Sequence, residues 1–585
     1  MDWHIHPDKY SRTHFIKHGM KQYTLFDPVF LLALLLIPLS GNSQAPQFVN
    51  PILPGGYPDP SICRVGDDYY IVNSSFEYFP GLPIHHSKDL VNWELVAYGL
   101  HREEQCQSPN NLVDVQQRGG IHAPTIRYHD GTFYIITTNV YTPTNPEEPT
   151  QFINFIITAE NIEGPWSDPH HIIGAPGIDP DIFFDDDGRV WYVGNHAPEN
   201  PNFNGEGEIW LQELDLNKWA LKGERHYLWR GACQGTWAEG PHMYKRDGRY
   251  YLLIAEGGTS FNHAVMVAVS NEITGPYQSN PRNPILSSRH LSYDFWVNST
   301  GHADMLELPD GRWYMVCLGI RGEEGRHSNM GRETHLLPVQ WEQEPFEWKE
   351  VKYEYPVCAP QTGRVERLNP LPFPDHPQHS RTGFTDNFDA DKLNLAWNFR
   401  RVPLERVYSL EDHPGSLRLY QNPDTIQERG RCSQMGIRQT ETNFSYALRM
   451  EFYPEHENSE AGMSLFIQDD NYLNFTIIGA KEEQEQLQLA IKERGKASYI
   501  HKRLPLPDYK GNVLLRIISK QGMYHFAYSL DGGKQYLPFA KTPSNLLVCH
   551  GYTGNYLGLY ASSNGNPLTG YADFDWVSYE GFQKL

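Results

Sequence analysis

Gly66-Asp67-Asp68-Tyr69-Tyr70-Ile71-Val72, Asp130-Gly131-Thr132-Phe133-Tyr134-Ile135-Ile136, Asp187-Gly188-Arg189-Val190-Trp191-Tyr192-Val193, Asp247-Gly248-Arg249-Tyr250-Tyr251-Leu252-Leu253 and Asp310-Gly311-Arg312-Trp313-Tyr314-Met315-Val316 are five copies of one pattern, a tight turn running into an aromatic-rich strand. Asp-Gly between apolar runs is a strong hairpin signal, because such turns need φ > 0. A short apolar stretch precedes each turn, as in Ile182-Phe183-Phe184 and Met305-Leu306-Glu307-Leu308, so each copy is two antiparallel strands. The copies recur about every sixty residues, which leaves room for two further strands per unit. Four strands per unit, repeated radially, make a propeller blade.

The chain is therefore all-β, with a five-bladed β-propeller over residues 46–350. A Pro-rich stretch containing Asn369-Pro370-Leu371-Pro372-Phe373-Pro374 follows and reads as a linker over 351–381. Beyond it, 382–585 turns to alternating strands such as Tyr446-Ala447-Leu448-Arg449-Met450-Glu451-Phe452, the pattern of a β-sandwich. Residues 1–45 carry an export signal: Lys21 leads into the apolar run Phe30–Leu39 and the small-residue exit Gly41-Asn42-Ser43-Gln44-Ala45. That run is too short to span a bilayer, and Asn42 stands where a lipid-anchored protein needs Cys, so the expectation is a periplasmic or secreted protein without a membrane anchor.

The formal net charge of −22 disfavours nucleic acid and anionic membranes as partners, since both require a basic surface. A neutral substrate fits it best. Seven scattered cysteines without a CxxC pair read as buried thiols rather than a disulfide framework. The acidic run Asp185-Asp186-Asp187-Gly188 lacks the spacing of a calcium loop and reads as a turn.

Eleven residues before Phe133, Val190, Tyr250 and Trp313 stand His122, Asp179, Glu239 and His302; ten before Tyr69, where the turn is one residue shorter, stands Asp59. All five are titratable. In a propeller the innermost strands line the central channel, so equivalent positions form a ring at one mouth. Such groups are costly to bring together unless hydrogen-bonded or used. Glycoside hydrolysis needs this set: a protonated acid at the leaving oxygen and an ionised carboxylate, acting on water if the enzyme inverts. Blades one and four lie two apart in a five-membered ring, which suits the roughly 6.5–9.5 Å separation of an inverting pair. Asp59 then serves as base, kept ionised by backbone donors. Glu239 serves as acid, its pKa raised by burial and by Asp179.

The segments Asn50-Pro51-Ile52-Leu53-Pro54-Gly55-Gly56-Tyr57-Pro58-Asp59-Pro60-Ser61, Ser74-Ser75-Phe76-Glu77-Tyr78-Phe79-Pro80-Gly81, Gly331-Arg332-Glu333-Thr334, Thr385-Asp386-Asn387-Phe388-Asp389 and Trp397-Asn398-Phe399-Arg400-Arg401 resemble the family 43 glycoside hydrolases with a xylosidase-type C-terminal sandwich of the concanavalin-like, jelly-roll kind. The resemblance implies Asp59 as base, Glu239 as acid and Asp179 as the group that tunes and orients the acid. It makes Phe76 and Arg332 sugar-binding and places His302 near the channel centre, in many relatives beside a water or calcium ion; His122 and His302 join them as candidate substrate-binding residues of the ring. No cofactor is otherwise required. Many relatives carry Trp where this chain has His122, so the wall of the sugar pocket differs. The substrate implied is an arabinose- or xylose-containing oligosaccharide. The segment Ser74–Gly81 with His122 favours release of terminal α-L-arabinofuranosyl units from plant cell-wall side chains. The alternatives are an exo-β-D-xylosidase or bifunctional enzyme, and a non-catalytic glycan-binding propeller, which predicts loss of at least one acid. A retaining, invertase-like enzyme needs Asn-Asp-Pro-Asn at the first blade, where Pro58-Asp59-Pro60-Ser61 stands. The sandwich is expected to brace the propeller and close one side of the pocket rather than to bind sugar.

Overall fold

Where two consecutive residues accept φ > 0, two strands can close on each other with the twist of a sheet. Asp130-Gly131 and Asp247-Gly248 do so in the computed structural model of the chain, at φ 47°/81° and 50°/72°. The structure describes residues 45–322, 328–343, 353–381, 383–403, 406–430, 432–480, 484–549, 552–567 and 570–582. The export signal read from the sequence lies outside them. Among the described residues no helix is long and apolar enough to cross a membrane.

The five repeats are five separate antiparallel sheets, each beginning with the strand before its turn: Ser61–Val65, Gly120–His129, Asp181–Phe184, Glu239–Arg246 and Val297–Glu307. Four sheets have four strands; the fourth gains a short fifth, Leu286–Ser287. The first strand of each sheet packs on the first strand of the next, and that of the fifth on that of the first. That closed circuit makes the sheets the blades of a propeller. No strand is shared across the closure. Asp304 of blade five instead accepts hydrogen bonds from the Ser61 hydroxyl (2.7 Å) and the Ile62 N–H (3.0 Å) of blade one. Asn50 does the same on the outside, donating to Leu336 O and accepting from Leu336 N–H, both at 2.9 Å.

Two boundaries differ from the sequence reading. The last strand of blade five, Glu354–Cys358, falls inside the expected linker. The Pro-rich stretch is also not a free spacer: Leu368–Pro370 pairs with Gln47–Val49, because one edge of so short a ladder needs no N–H from Pro370.

The second domain is two facing sheets. Along Phe444–Phe452 the residues Phe444, Tyr446, Leu448, Met450 and Phe452 are buried while those between are less so, the two-residue period of a sheet with one covered face. Met463, Leu465, Phe475 and Ile477 from the opposing sheet join the same core. The outermost strand of that opposing sheet is Tyr78–Phe79, from the propeller's first blade, pairing with Asn398–Arg400. The sandwich thus incorporates the segment that follows Phe76. Six of the seven cysteines are buried as expected, but Cys233 is exposed on a loop before blade four.

Candidate active site

A side chain in mid-ladder points along the sheet normal, and only an irregular backbone re-aims it down the channel axis. All five strand heads supply one. Asp59 and Asp179 sit two residues before their strands in the left-handed region, at φ 50° and 55°. In blades two, four and five the ladder register slips where His122, Glu239 and His302 stand. Left-handed backbone costs a non-glycine residue of order 1–3 kcal/mol and persists where its surroundings impose it. At Gly240 (φ 58°) a glycine is required, because a Cβ there would lie 2.9 Å from Cε1 of His302.

The five residues of the ring line one cavity of about 90 Å³, together with Thr259, His263, Arg332 and Tyr552. That is small beside the roughly 300–1,000 Å³ of sites for drug-sized ligands.

Asp59 is 5% exposed and gripped from three sides. Arg332 Nη1 donates to its Oδ1 at 2.8 Å and Nη2 to its Oδ2 at 3.2 Å; the Ser74 hydroxyl donates to Oδ2 at 2.6 Å. Burial pushes the carboxyl pKa up, but Arg332, His302 and Ser74 together outweigh it and hold Asp59 below the ordinary carboxylate range. The donors are side chains rather than the backbone groups expected from the sequence.

Glu239 goes the other way. Burial first, then the Asp59 carboxylate, raise its pKa to about 7. Asp179 is raised well above the carboxylate range by burial, then by Glu239 and Asp59, against one stabilising hydrogen bond from the Gly240 N–H. Besides Asp179, which lines the same cavity and interacts electrostatically with Glu239, the Asp59 carboxylate acts on the acid. Contact with the Gly240 backbone ties Asp179 to the residue beside the acid.

Arg332, 4% exposed, donates also to Thr259 Oγ1 (2.8 Å), and its guanidinium lies 5.6 Å from the ring centres of both Phe76 and Tyr552. Its grip is on the base, where the sequence reading had it on the sugar. We expect Arg332→Met to leave burial of Asp59 opposed only by the weaker contributions of His302 and Ser74, raise its pKa, and move the acidic limb of the kcat/KM profile to higher pH by at least about one unit. An unmoved limb in a pH–rate titration would show that Arg332 does not control this carboxylate.

Phe76 was expected at the sugar, but it is fully buried and absent from the cavity lining. It stands behind the wall, edge-on to His122 (4.9 Å) and Tyr552 (5.2 Å), with its backbone bridged to Ile121. His122 is on the wall; burial lowers its pKa to about 4, so a neutral imidazole faces the cavity at neutral pH. His302 is likewise lowered to about 4 by burial, with Nδ1 3.9 Å from Asp59 Oδ1.

The resemblance allows calcium near His302, and the residues there do not fit one. Calcium takes about six to eight oxygen ligands. Among the described residues no three His, Cys, Asp or Glu side chains are grouped to hold a metal. The carboxylates one layer below, Asp181 and Asp304, are already bound by the guanidinium of Arg127, at 3.1 and 3.0 Å. Arg127 also contacts His242 Nδ1 at 3.1 Å, and Tyr244 donates to Asp304 at 2.5 Å. This second ring ties four blades together around one partly buried cation, Arg127.

Sequence reasoning missed His263, Thr259 and Tyr552. Tyr552 comes from the sandwich, so the second domain supplies one wall of the cavity, in line with its expected place at one side of the pocket. No repeat position could have flagged these three, whereas Asp181 and Asp304, each two residues after a ring member, were within reach of the same counting.

Comparison with known proteins agrees with this architecture. Residues 48–346 match the profile of Glycosyl hydrolases family 43, and 385–580 that of the β-xylosidase C-terminal concanavalin A-like domain. A xylosidase/arabinosidase of Butyrivibrio fibrisolvens is 39% identical over 91% of this chain and 99% of its own length. The non-reducing end α-L-arabinofuranosidase BoGH43B of Bacteroides ovatus is 37% identical over 94% of this chain and 98% of its own. Among solved structures, GH43B of the Bacteroides ovatus xyloglucan locus superimposes with a TM-score of 0.80 at 35% identity, covering 92% of this chain and all of that one. With both domains matched and relatives of this identity aligned nearly end to end, the chain belongs to family 43 of the glycoside hydrolases.

Proposed function

We propose that the protein is an exo-acting, inverting glycoside hydrolase that releases terminal α-L-arabinofuranosyl residues from the non-reducing ends of plant cell-wall oligosaccharides. One observation carries this reading: two carboxyl groups sharing a small cavity are driven in opposite directions, Asp59 to the anion and Glu239 to the acid. That division of labour is what an oxocarbenium-like transition state requires. Asp59 takes a proton from water, Glu239 gives one to the leaving oxygen, and Asp179 keeps Glu239 in place. The chemistry calls on no cofactor. A purely glycan-binding propeller would have no use for this opposition.

The cavity is small and Tyr552 forms part of its wall, which favours attack at chain ends. For the sugar itself, the name of the Bacteroides ovatus relative favours arabinofuranose; the Butyrivibrio fibrisolvens relative is named for both sugars, which supports xylose as the second reading. Nitrophenyl α-L-arabinofuranoside and β-D-xyloside assayed side by side are expected to favour the arabinofuranoside by about tenfold in kcat/KM, the usual scale of discrimination between sugars differing in a few contacts. A preference for the xyloside would assign the second reading. An NMR time course is expected to show first-formed product of inverted anomeric configuration; retained configuration would remove Asp59 from the role of base. The charged start and apolar run near the N-terminus support export to the periplasm or medium.

A further inference from the structure

A general acid faces the oxygen of the bond that breaks, so the unit departing with that oxygen rests against whatever surrounds the acid at the mouth of the site. Two residues before Glu239 stands Trp237, with 55% of its surface exposed. Its backbone is left-handed, φ 53°, a conformation that a bulky side chain adopts only under constraint. The constraints are visible. The Trp237 N–H donates to Gly205 O at 2.6 Å, and the Gly257 N–H to Thr236 O at 2.7 Å. Upstream, the buried Glu256 carboxylate accepts from the N–H groups of Ala232 (3.0 Å), Cys233 (3.1 Å) and Gly235. The indole is wedged between two loops. A Cβ on Gly258 would stand 2.6 Å from its Cε3, and one on Gly205 3.5 Å from its Cε2. Gly258 precedes Thr259, which lines the cavity and binds Arg332. A strained, rigidly supported and half-open indole thus stands beside the acid in sequence and beside a cavity-lining loop in space.

From this juxtaposition we propose that Trp237 is the platform for the leaving group, stacking against the first sugar ring beyond the cleaved bond. The proposal rests on the reading of Glu239 as acid. A sugar presents an apolar C–H face that an aromatic ring can cover, and an indole fixed in one orientation binds it without ordering a flexible side chain.

The test compares two substrates that both need the acid: a pentosyl oligosaccharide, whose leaving group is a sugar, and the methyl pentoside, whose leaving group is methanol. Wild-type turnover of the methyl pentoside tests the reading of the site by itself. In Trp237→Ala, kcat/KM for the oligosaccharide should fall about threefold to tenfold, while the methyl pentoside stays within about twofold and the basic limb of its pH profile does not move. Trp237→Tyr should recover most of the loss. Equal losses on both substrates, or a shifted basic limb, would make Trp237 a support of Glu239 and overturn the proposal. So would an oligosaccharide rate that does not change.

Discussion

Asp59→Asn is expected to lower kcat on an aryl pentoside by about 10³–10⁴-fold, the scale of general base catalysis lost. A carboxamide at this position cannot accept a proton from water at any pH used for assay. It also cannot offer Arg332 two acceptor oxygens, so the amide must turn its NH₂ toward either the guanidinium or the Ser74 hydroxyl that now grip Oδ1 and Oδ2. Some stability will be lost with the ion pair, because removing one partner leaves a buried charge uncompensated. The rate loss must therefore be read at a temperature where circular dichroism shows both proteins folded. Turnover by a folded Asp59→Asn enzyme within tenfold of wild type would end the case for catalysis in this cavity.

Glu239→Gln should cost about 10³-fold on a substrate whose leaving group needs a proton, such as the methyl pentoside, and far less on a dinitrophenyl pentoside, whose phenolate leaves unprotonated. The pH profile supplies an independent check, and its sign follows from the charges. Glu239 acts in its protonated form, and burial with the Asp59 charge sets its pKa at about 7, so kcat/KM should fall as pH rises through that value. Asp59 acts as the anion and is held below the ordinary carboxylate range, so the acidic limb should lie below that range. In Glu239→Gln the descent near 7 should disappear while the acidic limb remains. Persistence of the descent would transfer the acid role to another group in the cavity.

The repeat was legible because its period is local. A turn that needs φ > 0 and a strand that alternates faces both leave their mark within about ten residues. Counting from those marks located Asp59, His122, Asp179, Glu239 and His302, all of which meet at the cavity. What the counting could not provide was the environment of each carboxyl. Arg332 clamps Asp59 across 273 positions of sequence, and the pKa of Asp179 is raised first by burial and then by the Glu239 and Asp59 carboxyls. Phe76 shows the same limit from the other side: its motif is plain in the sequence, but whether a ring faces the ligand or stands behind the wall depends on how blades one and two meet.

By itself the chain determined its architecture, five radial units and a sandwich, and which titratable residues share a rim, since periodicity and equivalent positions survive in one dimension. Only the tertiary structure decided which carboxyl is anion and which is acid, that the sandwich lends Tyr552 to the cavity, and that an indole is fixed beside the acid. Those outcomes depend on burial and on charges brought together from distant segments, and Coulomb interactions act over distances in space rather than along the chain.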